Sequence, residues 1–581
     1  MNIKKFIEQK IISILSSLNI DTDAAFVSQS NRPDLSDYQS NVAMALSKKN
    51  GTTPRELAQK IVEKLSGESF VSKATVDGPG FINISLSDDF LVKDTPEPVQ
   101  PTGRTVVIDY GGPNIAKEMH VGHLRSAIIG ESIKRIMRAC GDKVIGDVHF
   151  GDWGTPLGML IAQLKREQPD LGFFKEPYQG ADFDISISEI SALYRRAAAN
   201  FKEDDAFKEE ARVAVFDLQK GKKSYMDIWR LFHDKSVAAV KVNYDKLGVD
   251  FDLWMGESDV NDLLPFLVDD LTKKGMLVPS EGALIVPMED KANRERAPLI
   301  LKKSDGAYTY AATDLATIIQ RKKDFNPDNI MYVVDARQKE HFEQVFEVAY
   351  RAGYVDEKTT LEHIPFGTVN GKDGKPFKTR SGGVMNLKDL IDLAIDKARE
   401  NVPDDMDEKE AKEQSEQIAL GALKYQDLKN TRISDYIFDT ENFTKSEGKT
   451  GAYVQYAVAR INSILEKSGI SEDEISTADI VISHPLEREL VLYLRRQPEA
   501  LVEAYVHREP SVISDYVHVL AQKFSTLYSE LSVNNEADRA RKLSRLKLIW
   551  EVRKALKENL TLLGIQTPGR MLTKVTAMDK A

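Results

Sequence analysis

Apolar and polar positions follow three different rhythms along this chain, and each rhythm predicts its own architecture. From Asn2 to Leu18 apolar residues recur at helical spacing between Lys and Glu, which predicts an amphipathic helix. Thr53-Pro54-Arg55-Glu56 joins a capping box to a proline at the first helical position and predicts a helix through Leu65. Val76 to Ile84 reads as a turn, Gly78-Pro79-Gly80, running into a strand. Residues 1–98 are therefore expected to form a small α+β domain, with a Pro-rich linker from Asp94 to Gly103.

The second rhythm begins at Thr105, where short β-branched runs alternate with helical periodicity. Thr105 to Tyr110 predicts a buried strand, Gly111-Gly112-Pro113-Asn114 a turn, and Leu124, Ile128, Ile133 and Met137 the inner face of a helix. A second strand is expected over Lys143 to Phe150, ending at Gly151-Asp152-Trp153-Gly154, with a helix from near Pro156. Residues about 165–300 read mostly as amphipathic helices, such as Phe207 to Leu218 and Lys235 to Leu247, inserted between two halves of a sheet. Strand and helix then resume: a helix from Tyr308 to Ile319, a strand at Asn329 to Val334, a helix at Gln338 to Arg351 and a strand at His363 to Val369. This alternation predicts an α/β domain over 99–445, built on a doubly wound parallel sheet. In such a sheet the ligand sits beyond the carboxyl ends of the strands.

The third rhythm is helical only. Residues 446–581 carry helical patterns from Tyr453, over Pro485 to Leu494, Glu499 to His507, Ser511 to Tyr528 and Glu536 to Leu563, and predict an all-α bundle.

Composition narrows the class. With 581 residues the chain has room for several domains, and its single cysteine excludes a disulfide framework and fits a cytoplasmic protein. No apolar run is long enough to cross a bilayer. The net charge of −11 does not mark a nucleic-acid binder as a whole. It is unevenly spread, however: from Ser446 onward the balance is +1, so the C-terminal part admits contact with RNA.

The candidate chemistry lies at the turn after the first strand of the second region. His120-Val121-Gly122-His123 opens the predicted helix there. A helix start offers unpaired N–H groups and a positive dipole end that suit phosphate. Gly122 leaves room for close approach to the backbone, and two imidazoles on one face can donate hydrogen bonds to phosphate oxygens. A pair of surface histidines at an ordinary helix start, or half of a metal site, are the rival readings. Cys140 alone offers no thiolate cluster, and no zinc-like spacing occurs, so no protein-bound metal is expected. The loop Gly371 to Gly383 is rich in Lys and Arg and could clamp a leaving pyrophosphate. Glu447-Gly448-Lys449-Thr450 ends like a phosphate-binding loop but has Phe443 where the first glycine belongs.

The string from Asp109-Tyr110 through Pro113-Asn114-Ile115-Ala116-Lys117-Glu118-Met119 into His120-Val121-Gly122-His123-Leu124-Arg125-Ser126 closely resembles arginyl-tRNA synthetases, and its HVGH resembles the HIGH signature of class I aminoacyl-tRNA synthetases. The resemblance spans nearly the whole chain. It implies a class I, Rossmann-like catalytic domain, an N-terminal module that contacts the outer corner of tRNA, and a C-terminal anticodon-binding bundle. Asp37-Tyr38-Gln39 and Gly78-Pro79-Gly80-Phe81 match the wording of the N-terminal module. By resemblance His120, His123, Lys117 and Lys378 would be catalytic, and Pro113, Gly122, Lys375 and Lys378 would join the histidines in holding ATP, which brings Mg²⁺ with it. Lys378-Thr379-Arg380-Ser381-Gly382 keeps only the first Lys of the family's KMSKS loop, and Lys117 fits the place of a compensating lysine. Tyr308 to Ala316 resembles the arginine-binding helix: Tyr310 and Asp314 are four apart, as a ring and carboxylate must be to grip a planar guanidinium. Asp109, Asn114 and Gln338 would hold the rest of the amino acid, and Tyr453, Tyr456, Arg460 and Met571 would meet tRNA(Arg). The expected enzyme is monomeric and cytoplasmic, and uses L-arginine, ATP and tRNA(Arg). A different adenylyl-transferring enzyme with a HIGH-type site, or a tRNA-binding paralogue without activity, are the alternatives. The absence of zinc spacing opposes the first, and intact His120, His123, Lys117 and Asp314 oppose the second.

Overall fold

A computed structural model of the protein describes residues 1–93, 102–289, 295–371, 374, 385–439 and 443–572. Most of the expected linker from Asp94 to Gly103 lies outside the described residues. The chain folds as two compact units: one comprises Pro101–Glu400 with Leu423–Phe443, the other Met1–Gln100, Asn401–Ala422 and Thr444–Ala581.

The first of these units is built on a four-stranded sheet. In chain order its elements are β1 (Thr105–Tyr110), α1 (Val121–Ala139), β2 (Lys143–Asp147), α2 (Tyr310–Phe325), β3 (Asn329–Asp335), α3 (Lys339–Arg351) and β4 (Thr360–Phe366). The strands lie in the order β4-β3-β1-β2 with every pair parallel. From β1 the chain moves outward to β2, returns to β3 on the other side of β1, and moves outward again. Strand order therefore reverses between β1 and β3. Five of the six residues of β1 are buried, because helices cover both faces of the sheet. On one face Val107, Ile330, Tyr332 and Leu361 pack with Leu315 and Ile318 of α2 and with Phe342, Val345 and Val348 of α3. On the other, Gly130 lets α1 cross the Tyr110 ring, where any Cβ would collide. The Tyr110 hydroxyl donates to Glu131 of the same helix at 2.7 Å. Arg125, from the HVGHLRS string, is buried and pairs with Asp427 at 3.1 Å, which also accepts from the Tyr436 hydroxyl at 3.0 Å. That residue anchors the fold.

Between β2 and α2 come the expected helices, including Thr155–Glu167, Ile187–Glu203, Asp205–Gln219 and Lys223–Leu247. They are followed by an antiparallel sheet that the sequence reading missed, formed by Val278–Ser280, Ala283–Glu289 and Glu295–Lys302. Its signal was brief. Val286 and Met288 face the main core with exposed Pro287 between them, and Leu299 and Leu301 repeat the alternation.

The second unit joins the two ends of the chain. A four-stranded antiparallel sheet, in the order Val27–Gln29, Tyr38–Ser40, Phe81–Leu86, Val71–Asp77, packs with helices Ile3–Ser17 and Pro54–Leu65. Thr53 and Glu56 make the expected capping box. The C-terminal helices Gly451–Lys467, Pro485–Leu494, Gln497–His507, Ser511–Glu530 and Arg539–Leu562 complete the unit. Asp37 and Tyr38, from the stretch that matches the wording of the N-terminal module, take a structural role inside the protein. Arg488 grips both oxygens of Asp37 at 3.0 and 2.7 Å, and the Tyr38 hydroxyl donates to Glu499 at 2.6 Å. Asp37 is 5 % exposed and Tyr38 is not exposed at all, so neither side chain has a surface to offer RNA.

This clasp predicts a stability effect. Arg488→Ala leaves a buried carboxylate without its cation and should cost roughly 3–5 kcal/mol. In urea unfolding followed by tryptophan fluorescence the transition of this unit should move to lower denaturant. Arg488→Lys should recover only part of the loss, because one ammonium cannot make the two-point contact.

Candidate active site

A cavity of about 600 Å³ opens at the carboxyl ends of β1 and β3, where strand order reverses. It is lined by Asp109, Gly111, Gly112 and Asn114 from β1 and its turn, by His120, Gly122, His123 and Ser126 from the start of α1, and by Tyr310 and Asp314 from α2. Glu257, Tyr332, Gln338 and His341 are also in the wall. Ser126 holds the reversal together. Its hydroxyl accepts from the Gly111 N–H at 2.8 Å and donates to the Val333 carbonyl at 2.7 Å, tying the β1 turn to β3.

The two histidines form a capping box. His120 is the N-cap of α1, and its Nδ1 accepts the Gly122 N–H at 3.0 Å. His123 Nδ1 accepts the His120 N–H at 3.1 Å. The rings lie 4.0 Å apart, centre to centre. Burial and the neighbouring His120 push His123 down to about 3, and burial with nearby Lys117 lowers His120. Both imidazoles are therefore neutral, and because Nδ1 is an acceptor in each, the ring proton sits on Nε2. Gly122 has a further reason for being glycine. A Cβ there would lie 2.8 Å from the His120 ring, so the missing side chain makes room for the capping imidazole.

The acidic side of the cavity is richer than the sequence implied. Asp314 accepts from His341 Nε2 at 2.6 Å. Near it stands Glu257, which sequence reasoning missed. Its segment runs alongside the end of β2, with Leu253 bridged to Asp147 and Gly256 to Phe150, and Asp152 fixes the turn by accepting from the Ser258 N–H and hydroxyl at 2.9 and 2.6 Å. Burial first, and then the Asp314 carboxylate, push Glu257 up to about 8. Tyr310 is 63 % exposed at the rim, its ring free to cover a ligand.

Asp109 lies deeper. Arg321 of α2 reaches under the sheet, and its Nη2 donates to Asp109 and to Asp147, both at 2.6 Å. Burial raises Asp109. Asp147 is equally hidden, but Arg321 and His149 outweigh burial and hold it below the usual carboxylate range. Among the described residues Asp109, Asp147 and His149 are the one group with the spacing of a metal site. Arg321 supplies the positive charge there.

Of the other expected site residues, Asn114 and Gln338 line the cavity, whereas Pro113 is buried in the turn, its carbonyl accepting from the Gly151 N–H at 3.2 Å. Lys117 is outside the lining, its ammonium 4.4 Å from the centre of the Tyr194 ring. Lys375 and Lys378 lie outside the described residues. In the other unit Arg460 stacks 4.6 Å over Tyr528, Tyr453 lies edge-on to His518, and Tyr456 is half-buried. Met571, the fourth residue expected to meet tRNA, is 7 % exposed and packs in the core.

Comparison with known proteins agrees along the full length. Residues 1–86 match the arginyl tRNA synthetase N terminal domain, 87–440 the catalytic domain of class I (R) tRNA synthetases, and 454–571 the DALR anticodon binding domain. The arginine–tRNA ligases of Francisella tularensis subsp. holarctica and of Alkaliphilus oremlandii are each 41 % identical over 98 % of this chain, covering 100 % and 99 % of their own lengths. The crystal structure of arginyl-tRNA synthetase from Plasmodium falciparum superposes with a TM-score of 0.80 at 26 % identity, covering 98 % of this chain and 99 % of that one. In the described residues no helix is long and apolar enough to cross a membrane. With all three of its domains matched in order, and a cavity at the strand-order reversal flanked by the paired histidines, the chain belongs to the arginyl-tRNA synthetase family of class I aminoacyl-tRNA synthetases.

Proposed function

We propose that this chain, an arginine–tRNA ligase, joins arginine to ATP in the cavity at the β1–β3 reversal and then passes the arginyl group to the terminal adenosine of tRNA(Arg). The observation that carries the reading is the polarity of the cavity. Neutral imidazole donors and a helix start occupy one side, and two carboxyl groups with a phenol occupy the other. Phosphates suit the first, a planar cation the second.

In the first step the arginine carboxylate attacks the α-phosphate of ATP, and pyrophosphate leaves. His120 and His123 donate through Nε2–H to phosphate oxygens as charge builds up. Because both rings are neutral beforehand, they stay unprotonated donors across the physiological pH range. Mg²⁺ arrives on the phosphates of ATP as part of the substrate. Lys117, Lys375 and Lys378 are assigned to the departing pyrophosphate. Asp314, Glu257 and Tyr310 are assigned to the guanidinium, with Asp109, Asn114 and Gln338 on the amino-acid end. In the second step the 2′-hydroxyl of the tRNA's terminal ribose attacks the activated carbonyl and AMP leaves. Tyr453, Tyr456 and Arg460 are assigned to tRNA. A monomer working in the cytoplasm completes the reading, in keeping with the lone Cys140.

The direct test is tRNA charging and pyrophosphate exchange with each amino acid, in the presence and absence of tRNA(Arg). Arginine alone should support both; exchange driven by another amino acid would overturn the reading. His123→Ala should lower kcat for exchange by about 10²–10³, the usual loss for one transition-state donor. An unchanged kcat would remove His123 from the chemistry. Asp314→Ala should raise KM for arginine by about a hundredfold or more, as expected when a desolvated cation loses its carboxylate.

Glu257 sets a pH dependence. Its carboxyl is protonated in the empty cavity below about pH 8, whereas a guanidinium requires it ionised. Arginine must then expel a proton, so KM for arginine should fall as pH rises toward 8 and level off above it. Glu257→Gln should raise KM at pH 8 and flatten that slope. A slope that survives in the variant would place the titrating group elsewhere.

A further inference from the structure

We propose that Arg321 is a positioning residue for amino-acid recognition: it aims Asp109 at the substrate's α-ammonium group. The proposal rests on the reading that the cavity takes arginine. Strand register puts Tyr332, Asp109 and Asp147 in a single row across β3, β1 and β2. Arg321 lies along that row, 2 % exposed, with the Tyr332 ring 5.4 Å from its guanidinium carbon. One nitrogen, Nη2, donates to Oδ2 of both aspartates at 2.6 Å. The two acids differ in what remains. Asp147 is 1 % exposed and its second oxygen accepts from the His149 N–H at 3.3 Å. Asp109 lines the cavity, and its Oδ1 has no hydrogen bond among the described residues. A carboxylate pinned through one oxygen has the direction of its other oxygen fixed, so Arg321 decides where Oδ1 points.

The substrate supplies the match. Arginine carries two cations, the planar guanidinium and the α-ammonium. Four acidic side chains line the cavity: Asp109, Glu257, Asp314 and Asp335. Arg337 takes both oxygens of Asp335, at 2.8 and 2.7 Å. Glu257 and Asp314 serve the guanidinium, which leaves Asp109 for the compact ammonium. Arg321 also settles the charge of the row. Without it Asp109 and Asp147 would face each other with only His149 beside them, and a substrate guanidinium would find a second acidic pair to enter in the wrong direction. The same helix carries Tyr310 and Asp314, so one element sets both ends of the amino-acid site.

The test compares arginine with δ-guanidinovalerate, which has the guanidinium and carboxylate but no α-amino group. Full-length wild type, Arg321→Lys, Arg321→Met and the charge-balanced Arg321→Met/Asp147→Asn are assayed by pyrophosphate exchange, with a melting curve for each. In the folded neutral variants KM for arginine should rise about ten- to a hundredfold, the range for one lost hydrogen bond to a charged group. The inhibition constant of δ-guanidinovalerate and KM for ATP should stay within about twofold, less than one such bond is worth. Arg321→Lys, which keeps the charge but ends in a compact ammonium on a shorter side chain, should fall between. Equal weakening of arginine and the analogue, no change in either, or loss of folding in all three variants would overturn the positioning role and leave a structural one. Failure of the wild type to activate arginine would instead overturn the underlying reading of the cavity.

Discussion

A parallel sheet whose strand order reverses cannot close over its own switch point. The chain leaves β1 and β3 toward opposite faces, and the crevice between their carboxyl ends stays open however well the helices pack. Everything functional in this unit answers that constraint. Ser126 ties the two lips together, the histidine capping box finishes the helix that starts at one lip, and α2 places Tyr310 and Asp314 along the other. The gap is a consequence of topology, and the side chains around it determine which ligand it suits.

Two kinds of buried polarity divide the work. On the phosphate side the imidazoles are kept neutral by burial and held by backbone N–H groups, so they need no counterion and can meet developing negative charge without first losing a proton. On the amino-acid side the carboxyls are kept close together and partly unpaired, which is costly in the empty protein and is relieved by a cation. Elsewhere the same protein spends its buried charges on itself: Arg125 with Asp427, and Arg488 with Asp37, are internal pairs that hold segments distant in sequence. Geometry separates the two groups. The structural pairs bind protein to protein, whereas Asp109 keeps an oxygen without a hydrogen bond among the described residues and Glu257 and Asp314 lie side by side, acid beside acid.

Much of this was legible in the sequence. Thr105–Tyr110 and its turn were readable because a strand covered on both faces is continuously apolar, and Gly111-Gly112-Pro113-Asn114 punctuates it. The histidines, Tyr310 and Asp314 were found through spacing and resemblance. Glu257 was not, because the loop that delivers it has no periodicity; pairing of that loop with the end of β2 brings it in. Arg321 was hidden for a different reason. In a helix an arginine among charged neighbours reads as surface, and only strand register reveals two aspartates in line to receive it. The signal available was an Asp at or next to the end of each of two apolar strands, Asp109 and Asp147, which on burial grounds requires a cation nearby. Asp37, Tyr38 and Met571, which lie in stretches worded like the family's tRNA-contacting domains, have their side chains packed in the interior.

The central claim is that this cavity is polar in one direction, with phosphates toward His120 and His123 and a guanidinium toward Glu257 and Asp314. A crystal structure of the full chain with arginine and a non-hydrolysable ATP analogue tests it most directly. The account predicts guanidinium nitrogens within hydrogen-bond distance of both Glu257 and Asp314, and phosphate oxygens within reach of the two Nε2 atoms. Arginine bound in the opposite sense, or both ligands lying outside the crevice, would contradict it.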